Sequence, residues 1–152
     1  MDSIDRKILG HLQKDSSIAV ADLAEKVGCS RTVCWRRIKS LQETGVIRAQ
    51  VTLLDRGKLN LPVTVFVAIK TSRHDTDWLQ KFAETVDKFP EIMEFYRMSG
   101  DIDYLLKVVV PDVAAYDKFY HRLIREIDLS DVSSNFAMEE IKFTTALPLQ
   151  MP

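Results

Sequence analysis

Two cysteines, Cys29 and Cys34, are all the thiols this chain has, and one pair cannot supply the disulfide framework of a small secreted fold. A reducing, cytoplasmic compartment is the simplest expectation. Long apolar runs are also missing. None approaches the ~20 residues that cross a bilayer, so no membrane association is expected. The first residues are acidic and polar, unlike a secretory leader. Three histidines, His11, His74 and His121, are scattered with no ligand spacing to cysteine or to each other; no metal site is expected. There are only five glycines, no Gly-rich phosphate loop and no nucleophile-elbow pattern. No catalytic residues and no cofactor are therefore expected, and the chain does not read as an enzyme.

What is present is a globular composition, 46% apolar and 28% charged over 152 residues, enough for one ordinary domain or two small ones. The net charge of −1 hides an asymmetry. Residues 1–60 carry 11 Lys and Arg against 7 Asp and Glu, an excess of +4, and residues 61–152 carry −5. A basic first part joined to an acidic second part suits a nucleic-acid-binding unit attached to a module of another kind.

The basic part is organised around residues 27–38. Gly28 can take the left-handed conformation that ends one helix, and Ser30 is a good cap for the next. From Ser30 the pattern is helical as far as Gly45. At 100° per residue, Cys34, Ile38 and Leu41 share one side, with Thr32, Arg36, Lys39 and Glu43 opposite and Trp35 on the flank. A short helix containing Ala21, Leu23, Ala24 and Val27 precedes it across a three-residue turn. That is the pattern of a helix-turn-helix whose second helix enters the major groove of double-stranded DNA. Ser30, Thr32, Trp35, Arg36 and Lys39 are candidates for the duplex, and Arg31 and Arg48 for phosphates. Arg37 lies nearer the buried side, so it either touches DNA or braces the fold. A first helix over 2–14 starts at Asp2, with Asp5 three residues on. Residues 46–54 alternate like a strand and would add a wing. The alternative is a small-molecule enzyme or metabolite-binding module using the second part alone; the basic helices count against it.

Residues 55–62, with Gly57, Asn60 and Pro62, read as a linker between a DNA-binding domain (1–54) and a second domain (63–152). The second domain reads strand 63–70, helix 75–89, strand 92–99, strand 103–110, helix from 111, and strand region 132–145. This is an α+β chain whose βαββαβ order is ferredoxin-like. Two helices cover one sheet face. Because 63–70 is apolar on both sides, the other face is expected to pack on a second subunit. The turn Ser99-Gly100-Asp101-Ile102-Asp103 reads either as a tight hairpin or as a ligand pocket. In the second case Gly100 admits backbone amides to a carboxylate and Asp103 accepts from an ammonium group. Trp78 is either a core anchor or a pocket wall.

Taken in order, five blocks resemble the Lrp/AsnC (feast/famine) family of transcription regulators: Ile4-Asp5-Arg6-Lys7-Ile8-Leu9; Asp22-Leu23-Ala24-Glu25-Lys26-Val27-Gly28-Cys29-Ser30; Cys34-Trp35-Arg36-Arg37-Ile38 continuing through Leu41-Gln42-Glu43-Thr44-Gly45-Val46-Ile47; Ser99 to Leu106; and Phe136-Ala137-Met138-Glu139-Glu140-Ile141-Lys142. The resemblance spans essentially the whole chain. It implies a winged helix-turn-helix joined to a RAM-type effector domain, a homodimer assembling to octamers, and an amino-acid effector held between subunits. Ser99, Gly100, Asp101, Asp103 and Tyr104 would form one wall of that site, and Ser134, Asn135 and Phe136 the opposite wall. Two departures stand out. Ala19 occupies a position where Ser is common, and Arg31 one where Pro is common.

Overall fold

A computed structural model describes residues 1–73 and 75–150; His74, one of the three histidines weighed above, lies outside them. The chain forms two compact units. One comprises Met1–Leu53 with the segment from Ile141 onward, the other Leu54–Glu140.

The first unit is three helices, α1 (Ser3–Leu12), α2 (Val20–Val27) and α3 (Arg31–Glu43). Each starts and stops for a local reason. Asp2 caps α1: its Oδ1 accepts from the amides of Ile4 and Asp5, and the Asp5 carboxylate accepts from the Asp2 amide, all at 2.9 Å. This reciprocal box satisfies donors that the first turn leaves unpaired. The Asp5 amide, helped by the Arg37 guanidinium, holds the Asp2 carboxyl below its ordinary range. Ala19 precedes α2 with no side-chain cap. Gly28, at φ 75°, ends α2; its amide donates to the Glu25 carbonyl and the Cys29 amide to the Ala24 carbonyl. Ser30 caps α3 by accepting from the Val33 amide. Ile8, Leu23, Ala24, Val27, Cys34 and Leu41 form the core of this unit. The C-terminal segment is fastened to α1 by one carboxamide: Gln13 Nε2 donates to the Leu147 carbonyl at 3.0 Å, and the Leu147 amide donates to Gln13 Oε1 at 2.9 Å.

The expected wing is a correction. No strand is assigned over 46–54, and Val46, Val51, Leu53 and Leu54 are exposed. Alternation alone does not make a strand, because a strand needs a partner ladder and none of the described residues supplies one.

The second unit is a four-stranded antiparallel sheet, β1 (Val63–Lys70), β2 (Ile92–Arg97), β3 (Tyr104–Val110) and β4 (Asp131–Phe136), ordered β2-β3-β1-β4, with helices α4 (Thr76–Val86) and α5 (Val113–Glu126). Asp75 and Asp112 cap the two helices. Both helices share one apolar cluster with the sheet, built on Val65, Val67 and Ile69 of β1, Leu106 and Val108 of β3, Trp78 and Phe82 of α4, and Phe119 and Leu123 of α5. On β1, Phe66 alternates with these residues and is exposed at 38%. Phe66 pairs with Lys107, and Lys107 in turn reaches Glu94 at 2.9 Å. The last strand ends at Phe136, short of the strand region expected to reach 145. Residues 141–147 lie in no strand, and Ile141, Phe143 and Leu147 are exposed.

Candidate functional site

The recognition candidate is α3. Its inner side is anchored by Cys34 and Leu41, both buried. Away from them, Arg31, Thr32, Trp35, Arg36 and Lys39 are exposed, as is Ser30 before the helix. Trp35 is exposed at 54%, and the Lys39 ammonium lies 5.3 Å from its ring centroid. A cation over an indole face is held in place by the ring quadrupole, so the two side chains form one preset edge along the helix. Sequence spacing placed Lys39 opposite the buried side and Trp35 on the flank, but did not show this pairing. Only their i, i+4 offset hinted at it.

Arg37 is spent differently. Its Nη1 lies 2.7 Å from Asp2 Oδ2 and 2.8 Å from Asp5 Oδ1. The two carboxylates that cap α1 thus also hold α3, and both raise the Arg37 pKa, Asp5 most. The bracing alternative describes this geometry. Arg48 lies in the exposed segment after α3.

The turn between β2 and β3 carries the second candidate. Ser99, Gly100 and Asp101 are exposed, and Gly100 has φ 113° with nothing near its missing Cβ. A side chain there would be strained by the backbone rather than by crowding. Asp103 is already engaged: its Oδ2 accepts from the Thr71 amide at 2.8 Å, and its own amide donates to the Ile69 carbonyl at 2.9 Å. Thr71 escaped the sequence reading because it is brought in by β1 rather than by the turn. Tyr104 is buried against Trp78, Phe82 and Phe95. Trp78, 5.1 Å from Phe82 between ring centroids, is a core residue here.

Ser134, Asn135 and Phe136 do not meet this turn within one chain. They pair with Val67, Phe66 and Val65 on the far side of β1 from β3. Ser134 is hydrogen-bonded to the Tyr116 hydroxyl, and the Phe136 ring packs 5.2 Å from Tyr116. Burial pushes the Tyr116 phenol up. Asn135 is exposed on the opposite side from Ser134.

A helix-turn-helix with a basic outer surface, in a chain that also carries a βαββαβ domain, defines a DNA-binding regulator with a separate second module. The particular family follows from comparison. The AsnC-type helix-turn-helix domain model matches residues 1–42, and the Lrp/AsnC ligand binding domain model matches residues 64–147. The chain belongs to the Lrp/AsnC family of transcriptional regulators. It is 49% identical over 149 residues to the glutamate uptake regulatory protein of Zymomonas mobilis, covering 98% of this chain and 91% of that one. It is 46% identical over 151 residues to the DNA-binding transcriptional activator DecR of Escherichia coli, covering 99% of both. Among solved structures, an AsnC family regulator from Agrobacterium tumefaciens is 63% identical with a TM-score of 0.96, covering 99% of this chain and 98% of that one. A transcriptional regulator from Neisseria meningitidis, solved as its L-Met complex, is 34% identical with a TM-score of 0.93, covering 98% of this chain and 97% of that one.

Proposed function

We propose that this regulator reads DNA through the outer surface of α3, with Ser30, Thr32, Trp35, Arg36 and Lys39 toward the major groove and Arg31 and Arg48 toward phosphates. The observation that carries the reading is the division of labour among the cations of α3. Arg37 is consumed by Asp2 and Asp5, whereas Arg36 and Lys39 are presented outward. The protein acts as a cytoplasmic regulator, not an enzyme. Its effector is a free amino acid, bound where Ser99, Gly100, Asp101 and Asp103 line a subunit boundary completed by a neighbouring copy; Tyr104 supports the turn from within the core. The L-Met complex of the Neisseria relative supports that ligand class. Homodimers form through the uncovered sheet face and assemble further to octamers, so a ligand between subunits biases assembly.

The test is binding to a duplex selected from random sequence. Affinity should fall steeply with salt, as phosphate neutralisation requires. Arg36→Ala should cost ~1–3 kcal/mol of binding while leaving the melting temperature unchanged. If melting falls and affinity per folded molecule does not, Arg36 is structural and the assignment fails. For the effector, Asp103→Asn keeps an acceptor for the Thr71 amide but removes the charge. An amino acid that raises the melting temperature of the parent should no longer do so in this variant.

A further inference from the structure

The chain's two cysteines sit on either side of the start of α3, Cys29 in the turn before it and Cys34 within the helix, and both are free. Their places are set by backbone hydrogen bonds on each side. The Cys29 amide donates to the Ala24 carbonyl at 3.0 Å, fixing Cys29 as the residue that closes α2. Cys29 also immediately precedes Ser30, the cap of α3. The Cys34 amide donates to the Ser30 carbonyl at 2.9 Å, which fixes Cys34 in the first full turn of α3.

The residue before a cap and the fourth residue of the helix commonly pack together as an apolar staple that sets the entry angle of the chain. Here both staple positions are thiols. Cys29 packs against the core cluster that contains Cys34. Their exposure differs in a useful way. Cys34 is wholly buried, whereas Cys29 is partly open to solvent. Burial pushes the Cys34 thiol up, so it is a poor first target. Reagents therefore reach Cys29 before Cys34.

We propose that Cys29 and Cys34 form a peroxide-reactive dithiol whose oxidation to a disulfide switches off DNA binding, an inference that rests on the DNA-reading assignment of α3. The thiolate of Cys29 attacks the O–O bond of a hydroperoxide, giving a sulfenic acid and releasing the other oxygen as water or an alcohol. The Cys34 sulfur then displaces the sulfenic oxygen as water, forming the S–S bond. Two thiols lose two electrons and two protons, and the peroxide takes up both. The new bond encloses Ser30, Arg31, Thr32 and Val33, so it closes around the N-terminal end of the recognition surface. Disulfide geometry demands a set Cβ separation, and a covalent link held at that separation ties the turn to the helix and displaces Ser30 and Arg31 from their DNA-facing positions. Reduction by a dithiol restores them.

The experiment uses the full chain and hydrogen peroxide, with the selected duplex as probe. Reduced protein must first bind the duplex; failure at that point overturns the DNA assignment, not the chemistry. After peroxide, denatured protein should show no free thiol, an intact monomer mass lower by two hydrogens, and duplex affinity reduced by roughly tenfold or more; dithiothreitol should reverse all three. Cys29→Ser should keep one thiol, show no such mass change, and bind DNA equally before and after peroxide. Persisting thiols, a linkage only between separate chains, a disulfide that leaves affinity unchanged, or equal loss of binding in Cys29→Ser would each overturn the proposal.

Discussion

The apolar cluster of the helical unit consists of six buried residues, and that of the sheet unit of fifteen. Among the described residues, the difference is matched by how each unit is held. The sheet unit relies on packing: Phe82, Phe119, Ile69, Leu106 and Leu123 are fully buried, and each contributes ~1.5–3 kcal/mol by leaving water. The helical unit has fewer such residues, and its geometry leans on polar devices at helix ends: the Asp2–Asp5 box, the Arg37 tie, the Gly28 turn, the Ser30 cap. A unit of the first kind tolerates surface change and fails when its core is cut. A unit of the second kind is tuned by single caps. That suits a recognition helix, whose direction matters as much as its stability.

The sharpest break in this comparison is a core truncation. Phe119→Ala removes a fully buried ring that stacks edge-on with Phe89 at 5.6 Å. It should destabilise the sheet unit by ~3–5 kcal/mol, read by urea unfolding. A loss below about 1 kcal/mol would mean the sheet unit does not depend on its core in the way described.

The sheet face that carries Phe66 gives the next largest effect. Phe66 is exposed beside Lys107 and Asn135 in the register of β1. If a second copy covers that face, Phe66→Lys places an unpaired charge inside the interface and should weaken the dimer by ~2 kcal/mol or more. Sedimentation should show a shift toward monomer, with thermal unfolding of the monomer little changed. An unaltered sedimentation coefficient would place the dimer contact elsewhere.

Legibility differed between the units for physical reasons. The sheet's order of elements was readable because strand and helix periods differ and Asp75, Pro90 and Asp112 punctuate them. The helix ends were readable because Asp2, Gly28 and Ser30 act locally, within a few residues. Contacts made across the chain were not. Arg37 meets Asp2 and Asp5 from more than 30 residues away, Thr71 reaches Asp103 from the end of another strand, and Tyr116 engages Ser134 from α5. Residues 46–54 misled because their alternation is that of a strand, yet no described residue forms a strand ladder with them. In the candidate sites the same division holds. The outward surface of α3 followed from angular spacing alone, whereas the separation of Ser134 and Phe136 from the 99–103 turn required the strand register.

The smallest effect tests the polar side of the comparison most directly, because it adds a device instead of removing one. Ala19 already has the extended backbone of a cap residue, φ −62° and ψ 141°, but offers no side-chain acceptor to the first turn of α2. Ala19→Ser supplies a hydroxyl to the amide of Asp22 without changing the backbone. Caps of this kind are worth typically ~1 kcal/mol. With only six buried residues behind it, that increment should be visible as a higher melting temperature of the helical unit. DNA affinity of the folded protein should be unchanged, since position 19 lies before α2 and outside the exposed surface of α3. If Ala19→Ser leaves melting where it was, the α2 terminus is satisfied by water at no cost, and caps matter less to this unit than its small core implies. If instead melting rises and DNA affinity moves with it, the start of α2 helps set the angle of α3, and the cap acts on recognition as well as on stability.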